Sequence, residues 1–394
     1  MSEPANHAVP AQVPYTLWQL VAYMLGLGTW GFGGPVALVG YMHRDLVDRH
    51  RWIAEGDYKE GMAIAQLMPG PLAAQLAIYL GYVHYRLRGA TLAGLAFVLP
   101  SFAMVLALGA AYSAFGGIGW MQSVFYGVGA AVIGIIAISA YKLTTRNIGS
   151  DKLLWAIFAV SAAVTVVMQS EVVWLFLGAG VLVRLWRVPP SWLARGRLHA
   201  LAAPIAGLLA IDTLDWQKLS QIAAYFAYAG SFVFGSGLAI VPFLYGGVVK
   251  EYGWLSDRQF LDAVAVAMIT PGPVVITTGF IGYLVSGFWG AVVAAVATFL
   301  PCYLLTVIPA PYFKKHGKRP AIVAFVDGVT AAAIGTIAGA VVVIGQRSIT
   351  DWLTALLALV SAAVLWRFKK VPEPVIVLAA ALIGWAVHPF GMAA

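Results

Sequence analysis

The chain has 394 residues, of which 61% are hydrophobic and 10% charged, against roughly 45–50% and 25% in a soluble domain. Its net charge of +8 arises from 24 Lys and Arg against 16 Asp and Glu, set between apolar runs rather than on one face. This arithmetic excludes a soluble fold, disorder, a coiled coil and nucleic-acid binding, and leaves an all-α polytopic membrane protein.

Residues 1–14 are polar and carry no Lys or Arg, so they read as a cytoplasmic tail rather than a signal peptide. Apolar segments follow near 15–42, 57–86, 89–114, 120–142, 152–168 and 171–187. Residues 191–215 read as a linker whose one apolar stretch, 198–211, is short for a span. Six more segments follow, near 217–249, 260–285, 288–313, 321–345, 352–366 and 373–391. Cys302 is the sole cysteine, so no internal disulfide or cysteine-rich metal site can form, and no metal or cofactor is expected.

The two sets of segments are copies. An offset of 202 aligns Phe32-Gly33 with Phe234-Gly235, Trp52 with Trp254, and Pro69-Gly70-Pro71 with Pro271-Gly272-Pro273. One residue is then dropped, and an offset of 201 aligns Gly81-Tyr82 with Gly282-Tyr283 and Leu99-Pro100 with Leu300-Pro301. Apolar composition alone does not place such words twice at one spacing, which predicts a first repeat over 15–190 and a second over 216–394. Basic residues follow segments two, four and six in the first repeat (Arg86, Lys142, Arg184) but segments three and five in the second (Lys314, Arg367). Cytoplasmic loops collect Lys and Arg, so the repeats are expected to be inverted, with 198–211 crossing between them. The count is about 10–13 spans, thirteen if every broken segment crosses and fewer if any is re-entrant.

One unbroken helix over 15–43 would be roughly 43 Å long, more than a 30 Å hydrocarbon core holds without strong tilt. Phe32-Gly33-Gly34-Pro35 supplies a break, and Phe234-Gly235-Ser236-Gly237 repeats it. The second break is Pro69-Gly70-Pro71, with Thr270-Pro271-Gly272-Pro273 as its counterpart. A helix restarting after a break presents unpaired amides and a positive dipole end, which bind oxyanions. Gln66 precedes the second break of the first repeat, and Gln75, Thr277 and Thr278 lie about one turn beyond the second breaks, all polar and uncharged. The plainer alternative is that these kinks only shape packing. Arg44 and Arg51 fall between the breaks among mixed charges, either as a solvated connector or as an attraction at the entrance. Asp327 falls inside an apolar segment, as a proton relay or as a group at the membrane surface. Asn-Pro-Ala, His/Glu metal spacings and nucleophile elbows do not occur in the segments, and no duplicated acidic pair is expected there. This argues against an enzyme or a water channel.

Phe-Gly-Gly-Pro at 32–35, Trp52-Ile53 and Met-Pro-Gly-Pro at 68–71, echoed in the second half, resemble the chromate ion transporter family in its long, two-domain form. The resemblance implies a multi-pass protein of the bacterial inner membrane that exports chromate, a sulfate-like dianion, and confers chromate resistance. It implies drive from the membrane potential or a proton gradient, an antiporter being one form, with the anion at the motif residues and their second-repeat equivalents. The partners so implied are chromate, sulfate as a competitor and the lipid bilayer. A homodimer is one option for the assembly.

Overall fold

The computed structural model describes residues 13–32, 34–115, 119–168, 173–188, 216–233, 240–312, 319–368, 371 and 373–387. The predicted crossing at 198–211 lies outside them. The described residues form helices joined by short connections, without a strand among them.

The first repeat opens with α1 (Leu17–Trp30) and α2 (Gly34–Met42), the latter extended by a π-helical turn over His43–Arg49. The break between them is the one expected, with Pro35 in the first turn of α2. The chain does not continue across the membrane after it. Tyr23 of α1 donates its hydroxyl to Asp45 at 3.3 Å, and the Val13 amide donates to the Arg51 carbonyl at 2.9 Å, so α1 and α2 lie antiparallel as a hairpin. The next pair does the same. In α3 (Glu55–Leu67) Gly61 faces Tyr79 and Leu76 of α4 (Leu72–Phe115). α4 turns sharply at Arg86, where φ is 52° and ψ −142°, which separates a short first arm from a long second arm. Tyr15 stacks on Trp52 at 5.2 Å, and Tyr85 donates to the Tyr15 carbonyl. Both hairpins therefore have their bases together, on one side of the protein. Segments 15–42 and 57–86 fold back as hairpins; with their second-repeat equivalents, four of the thirteen expected crossings return, which leaves at most nine, below the expected range.

The long helices follow: α5 (Gly119–Asn147), α6 (Lys152–Met168) and α7 (Val173–Arg187). The second repeat restates the pattern with α8 (Trp216–Gly230), α9 (Ile240–Leu244) and its π-helical extension Tyr245–Glu251, α10 (Asp257–Ile269), α11 (Thr277–Val307), α12 (Pro320–Ser348), α13 (Trp352–Arg367) and α14 (Glu373–Val387). Tyr225 of α8 donates to the Phe243 carbonyl of α9, and α11 turns at Ser286 and Gly287 as α4 does at Arg86.

Equivalent helices run in opposite directions. Tyr126, near the start of α5, bonds Asp351 just after the end of α12, and Arg187 joins Asp151, just after α5, to Asp327 near the start of α12. The repeats also exchange helices. α5 packs on α13 and α14 of the second repeat, while α12 packs on α6 and α7 of the first.

These seams are built on glycine. A Cβ at Gly127 would lie 2.0 Å from the Ala380 carbonyl, at Gly328 2.4 Å from that of Ala179, and at Gly335 2.3 Å from that of Phe158. In lipid, where apolar burial gives no advantage over the hydrocarbon tails, such close backbone approach is what holds helices together. The arms of α4 meet likewise at Gly81 and Gly89, and those of α11 at Gly282 and Gly290.

Gly81→Val would drive its side chain into the Gly89 carbonyl, 2.3 Å from the added Cβ. It should lower the thermal unfolding midpoint in detergent by the equivalent of about 1–3 kcal/mol. Gly26→Ala, with no atom within 4 Å of the new carbon, should leave the midpoint unchanged or higher.

Candidate functional site

The hairpins of the two repeats meet tip to tip. The Gly70 amide in Pro69-Gly70-Pro71 donates to the carbonyl of Val233 at 2.5 Å, and the Gly272 amide in Pro271-Gly272-Pro273 donates to that of Gly31 at 3.1 Å. Since Val233 is the repeat equivalent of Gly31, these are one interaction used twice around the pseudo-twofold axis. The second hairpin of each repeat is thus pinned to the first hairpin of the other.

The geometry at the tips requires glycine. Gly70 has φ +143° and Gly272 φ +91°, conformations that side chains oppose. A Cβ at Gly272 would stand 2.0 Å from Ser101 Oγ, and one at Gly70 2.8 Å from Cys302 Sγ. Ser101 and Cys302 are themselves equivalents, each following a helix proline (Pro100, Pro301) and supporting the opposite repeat's break. Ser101 donates to the Pro271 carbonyl at 2.7 Å.

Beyond each tip a half-helix restarts. After Pro71 the first turn of α4 offers the amides of Leu72, Ala73 and Ala74, which have no carbonyl a turn behind them; Gln75 N–H is the first amide to bond back, to Pro71 at 3.0 Å. After Pro273 a 3₁₀ turn over Val274–Ile276 leads into α11. Gln75 is fully buried and donates to the Pro69 carbonyl at 2.8 Å, while its own carbonyl oxygen is buried without a partner. Thr277 and Thr278 are also fully buried, with their hydroxyls turned to the carbonyls of Val274 (2.7 Å) and Val275 (3.1 Å). Thr270 donates to Ala267 at 3.0 Å. The donors nearest the tips are therefore backbone amides.

Of the other residues singled out, Phe32 sits partly exposed at the first hairpin tip, and Gln66 is exposed on the last turn of α3. Gly33 and Phe234, Gly235, Ser236 and Gly237 lie outside the described residues. Arg44 is exposed, bonded to Asp45 at 2.9 Å and set over the Tyr41 ring. Arg51 is exposed at the hairpin base with φ 56°. Asp327 accepts from Arg187 at 2.6 Å, and its repeat equivalent is Tyr126. Arg187 also holds Asp151 and keeps that carboxyl below the usual aspartate range.

The expectation of no duplicated acidic pair does not survive the register. The offset of 202 sets Glu60 on α3 against Asp262 on α10. The sequence masks the pair, because Glu60 stands among Glu55, Asp57 and Lys59, in a stretch that reads as solvated connector, whereas Asp262 opens an apolar run. Glu60 is half-buried and hydrogen-bonded by Tyr79; Asp262 is 4% exposed and accepts from Tyr112 at 2.7 Å. Among the described residues no group of His, Cys, Asp and Glu has a metal-holding arrangement.

The sequence profile of the chromate transporter family matches residues 18–184 and again 220–385, reproducing the offsets of 202 and 201 at its two ends. The chromate transport protein of Cupriavidus metallidurans is 71% identical over 97% of this chain and 95% of its own length. A probable chromate transport protein of Synechococcus elongatus is 61% identical over 97% and 98%. An uncharacterized transporter of Bacillus subtilis is 27% identical over 90% of its own length but only 40% of this chain, the extent of one repeat. No solved structure matches the chain.

Arg187→Gln would release both Asp151 and Asp327 and should reduce stability at neutral pH by about 0.5–1 kcal/mol, the scale of half-exposed ion pairs. Because the Asp151 carboxyl is lowered in the fold, this contribution is complete above the ordinary aspartate range and lost as pH falls through the lowered value. Thermal melts across acid pH should show that loss in the parent protein and a smaller one in the variant, where the Leu153 and Leu154 amides still hold the Asp151 carboxylate.

Proposed function

Because the chain belongs to the chromate transporter family, we propose that it is a secondary transporter that carries chromate outward across a bacterial inner membrane and so confers resistance to it. The observation that supports this reading most directly is the reciprocal pairing of hairpin tips. It gathers two Pro-Gly-Pro breaks and two restarting half-helices, contributed equally by inverted repeats, around one axis. A tetrahedral dianion at that axis meets first-turn amides and positive dipole ends without a fixed counter-ion, so binding is favourable and release remains easy.

The side that carries the hairpin bases of the first repeat also carries Arg86, Lys142 and Arg187, and the excess of basic residues there supports reading it as the cytoplasmic side. Alternating access is favoured over a passive channel because the two second hairpins are not equally closed. Val264, Ala265 and Met268 of α10 are buried, whereas their equivalents Met62, Ala63 and Gln66 of α3 are half-buried or exposed. Interchanging the two arrangements would turn the site from one side to the other. Sulfate, of the same charge and shape, is the expected competitor, since amides and dipoles read charge and geometry rather than element.

Chromate uptake into inside-out vesicles tests the reading. Accumulation against a concentration gradient under an imposed potential or pH difference, reduced by excess sulfate, is the expected result; purely downhill movement would favour a channel. Replacing Pro71 and Pro273 together by Ala should lower uptake at least about tenfold, a loss near 1.4 kcal/mol, in protein that keeps its thermal midpoint. Unchanged uptake would remove the anion from the breaks.

A further inference from the structure

Glu60 and Asp262 hold the same register on α3 and α10, each nine residues before the first proline of its break. Another repeated acidic pair, Glu55 and Asp257, opens the two helices, where the positive dipole end accounts for it. Glu60 and Asp262 lie mid-helix and have no such explanation.

Their surroundings differ in one respect. Asp262 is enclosed where α10 packs on α4, α5, α11 and α14. Its oxygen partner, Tyr112, comes from the far end of α4 in the other repeat, and that ring lies edge-on to Phe125 at 5.6 Å and Phe280 at 5.7 Å. α3 packs chiefly on α4 and the π-helical turn, which leaves Glu60 half-buried against Tyr79.

The charged and titratable neighbours are few. Arg258, one turn earlier on α10 and exposed at the helix surface, is the charge that acts on Asp262, and Tyr112 is the group that faces it from α4. Tyr245 of the π-helical extension meets Asp257 instead. Glu60 is bonded by Tyr79 of α4, a phenol that also feels Asp57 of α3 and Tyr82 of its own helix, while His43 of the first hairpin bonds Glu55. Enclosing a carboxylate in such apolar company is unfavourable, and a proton removes that cost while leaving an acceptor for the tyrosine hydroxyl.

We propose that Glu60 and Asp262 are proton-binding latches, one per repeat: each second hairpin closes on the helix bundle with its carboxyl protonated and opens with it ionised. The structure holds the Asp262 latch shut and the Glu60 latch ajar. The sign follows from proton counting. The closed hairpin binds one proton more than the open one, so acid on the side that a hairpin faces holds it shut, and rising pH opens it. Inversion makes the two latches answer to opposite sides. Each carboxyl exchanges its proton with the side it faces, so the latches set which way the carrier rests rather than moving protons across. The inference rests on the alternating-access reading above.

Hydrogen–deuterium exchange of the α10 peptide in the full-length protein, corrected for intrinsic pH dependence, reads the latch without chromate. Between about pH 5 and about 8 the corrected exchange should rise, by at most about tenfold per pH unit for an opening linked to one proton. Asp262→Asn, neutral at every pH, should stay protected throughout, and Asp262→Glu should restore the pH dependence. Tyr112→Phe should shift the profile to lower pH, because the closed carboxyl loses its partner. A parent protein with pH-independent α10 protection would overturn the proposal, as would an Asn variant that keeps the dependence at an unchanged thermal midpoint. Chromate flux serves as the second readout. If exchange behaves as expected while Asp262→Asn transports at the full rate, the latch stands and the alternating-access reading fails.

Discussion

Two backbone hydrogen bonds at the centre of the protein, Gly70 to Val233 and Gly272 to Gly31, govern what the rest of the chain can do. Inside a bilayer a helix cannot simply stop, because the amides and carbonyls it exposes have no water to meet and each costs several kcal/mol. Four half-helix tips nonetheless end at membrane depth here. Part of that cost is met because the Pro-Gly-Pro tip of each repeat is presented to a carbonyl at a tip of the other. Each repeat leaves the glycine amide of its Pro-Gly-Pro break to a carbonyl of the other, so the centre depends on both being present and inverted.

The same dependence recurs one layer out. α5 and α12 lie in the opposite repeat's helices, and the contacts that hold them are backbone carbonyls resting on Gly127, Gly134, Gly328 and Gly335. Because these seams cross between repeats, the scaffold is a single body rather than two domains joined by a hinge. The second hairpins are attached differently. α3 is held mainly along α4, and α10 adds contacts to α5 and α14 that α3 lacks an equivalent of at comparable extent. A rigid interlocked scaffold with loosely held hairpins confines motion to the elements that carry the breaks.

Much of this was legible in the sequence. Glycine and proline at 31–35 and 69–71 are compatible with few structures other than helix breaks, and their repetition at one offset marks the duplication. The direction of the chain after each break was not legible, since hydropathy measures how much of a segment is apolar and says nothing about whether it crosses or returns. The return is written in tertiary contacts such as Tyr23 with Asp45 and Tyr15 with Trp52. Glu60 was hidden for a related reason. Its helix starts in a polar loop, so the average over the window described the loop. Asp327 drew attention because its sequence neighbours are apolar, but its partner Arg187 is 140 residues away.

Inversion also explains why the copies cannot be identical. The turns at the hairpin bases need positive φ in both repeats: 56° at Arg51 and 59° at Gly253, 52° at Arg86 and 60° at Gly287. Glycine meets that need without strain, whereas arginine there costs on the order of 1–3 kcal/mol. Yet it is in the first repeat, whose turns fall on the same side as Lys142 and Arg187, that arginine occupies these positions. Local backbone preference asks for glycine at all of them, and the charge asymmetry that orients a membrane protein asks for a cation on one side only. The chain follows the second demand where the turn faces the basic side and the first where it does not. The hairpin bases of the two repeats therefore store different strain, which falls on the arginine turns of the first.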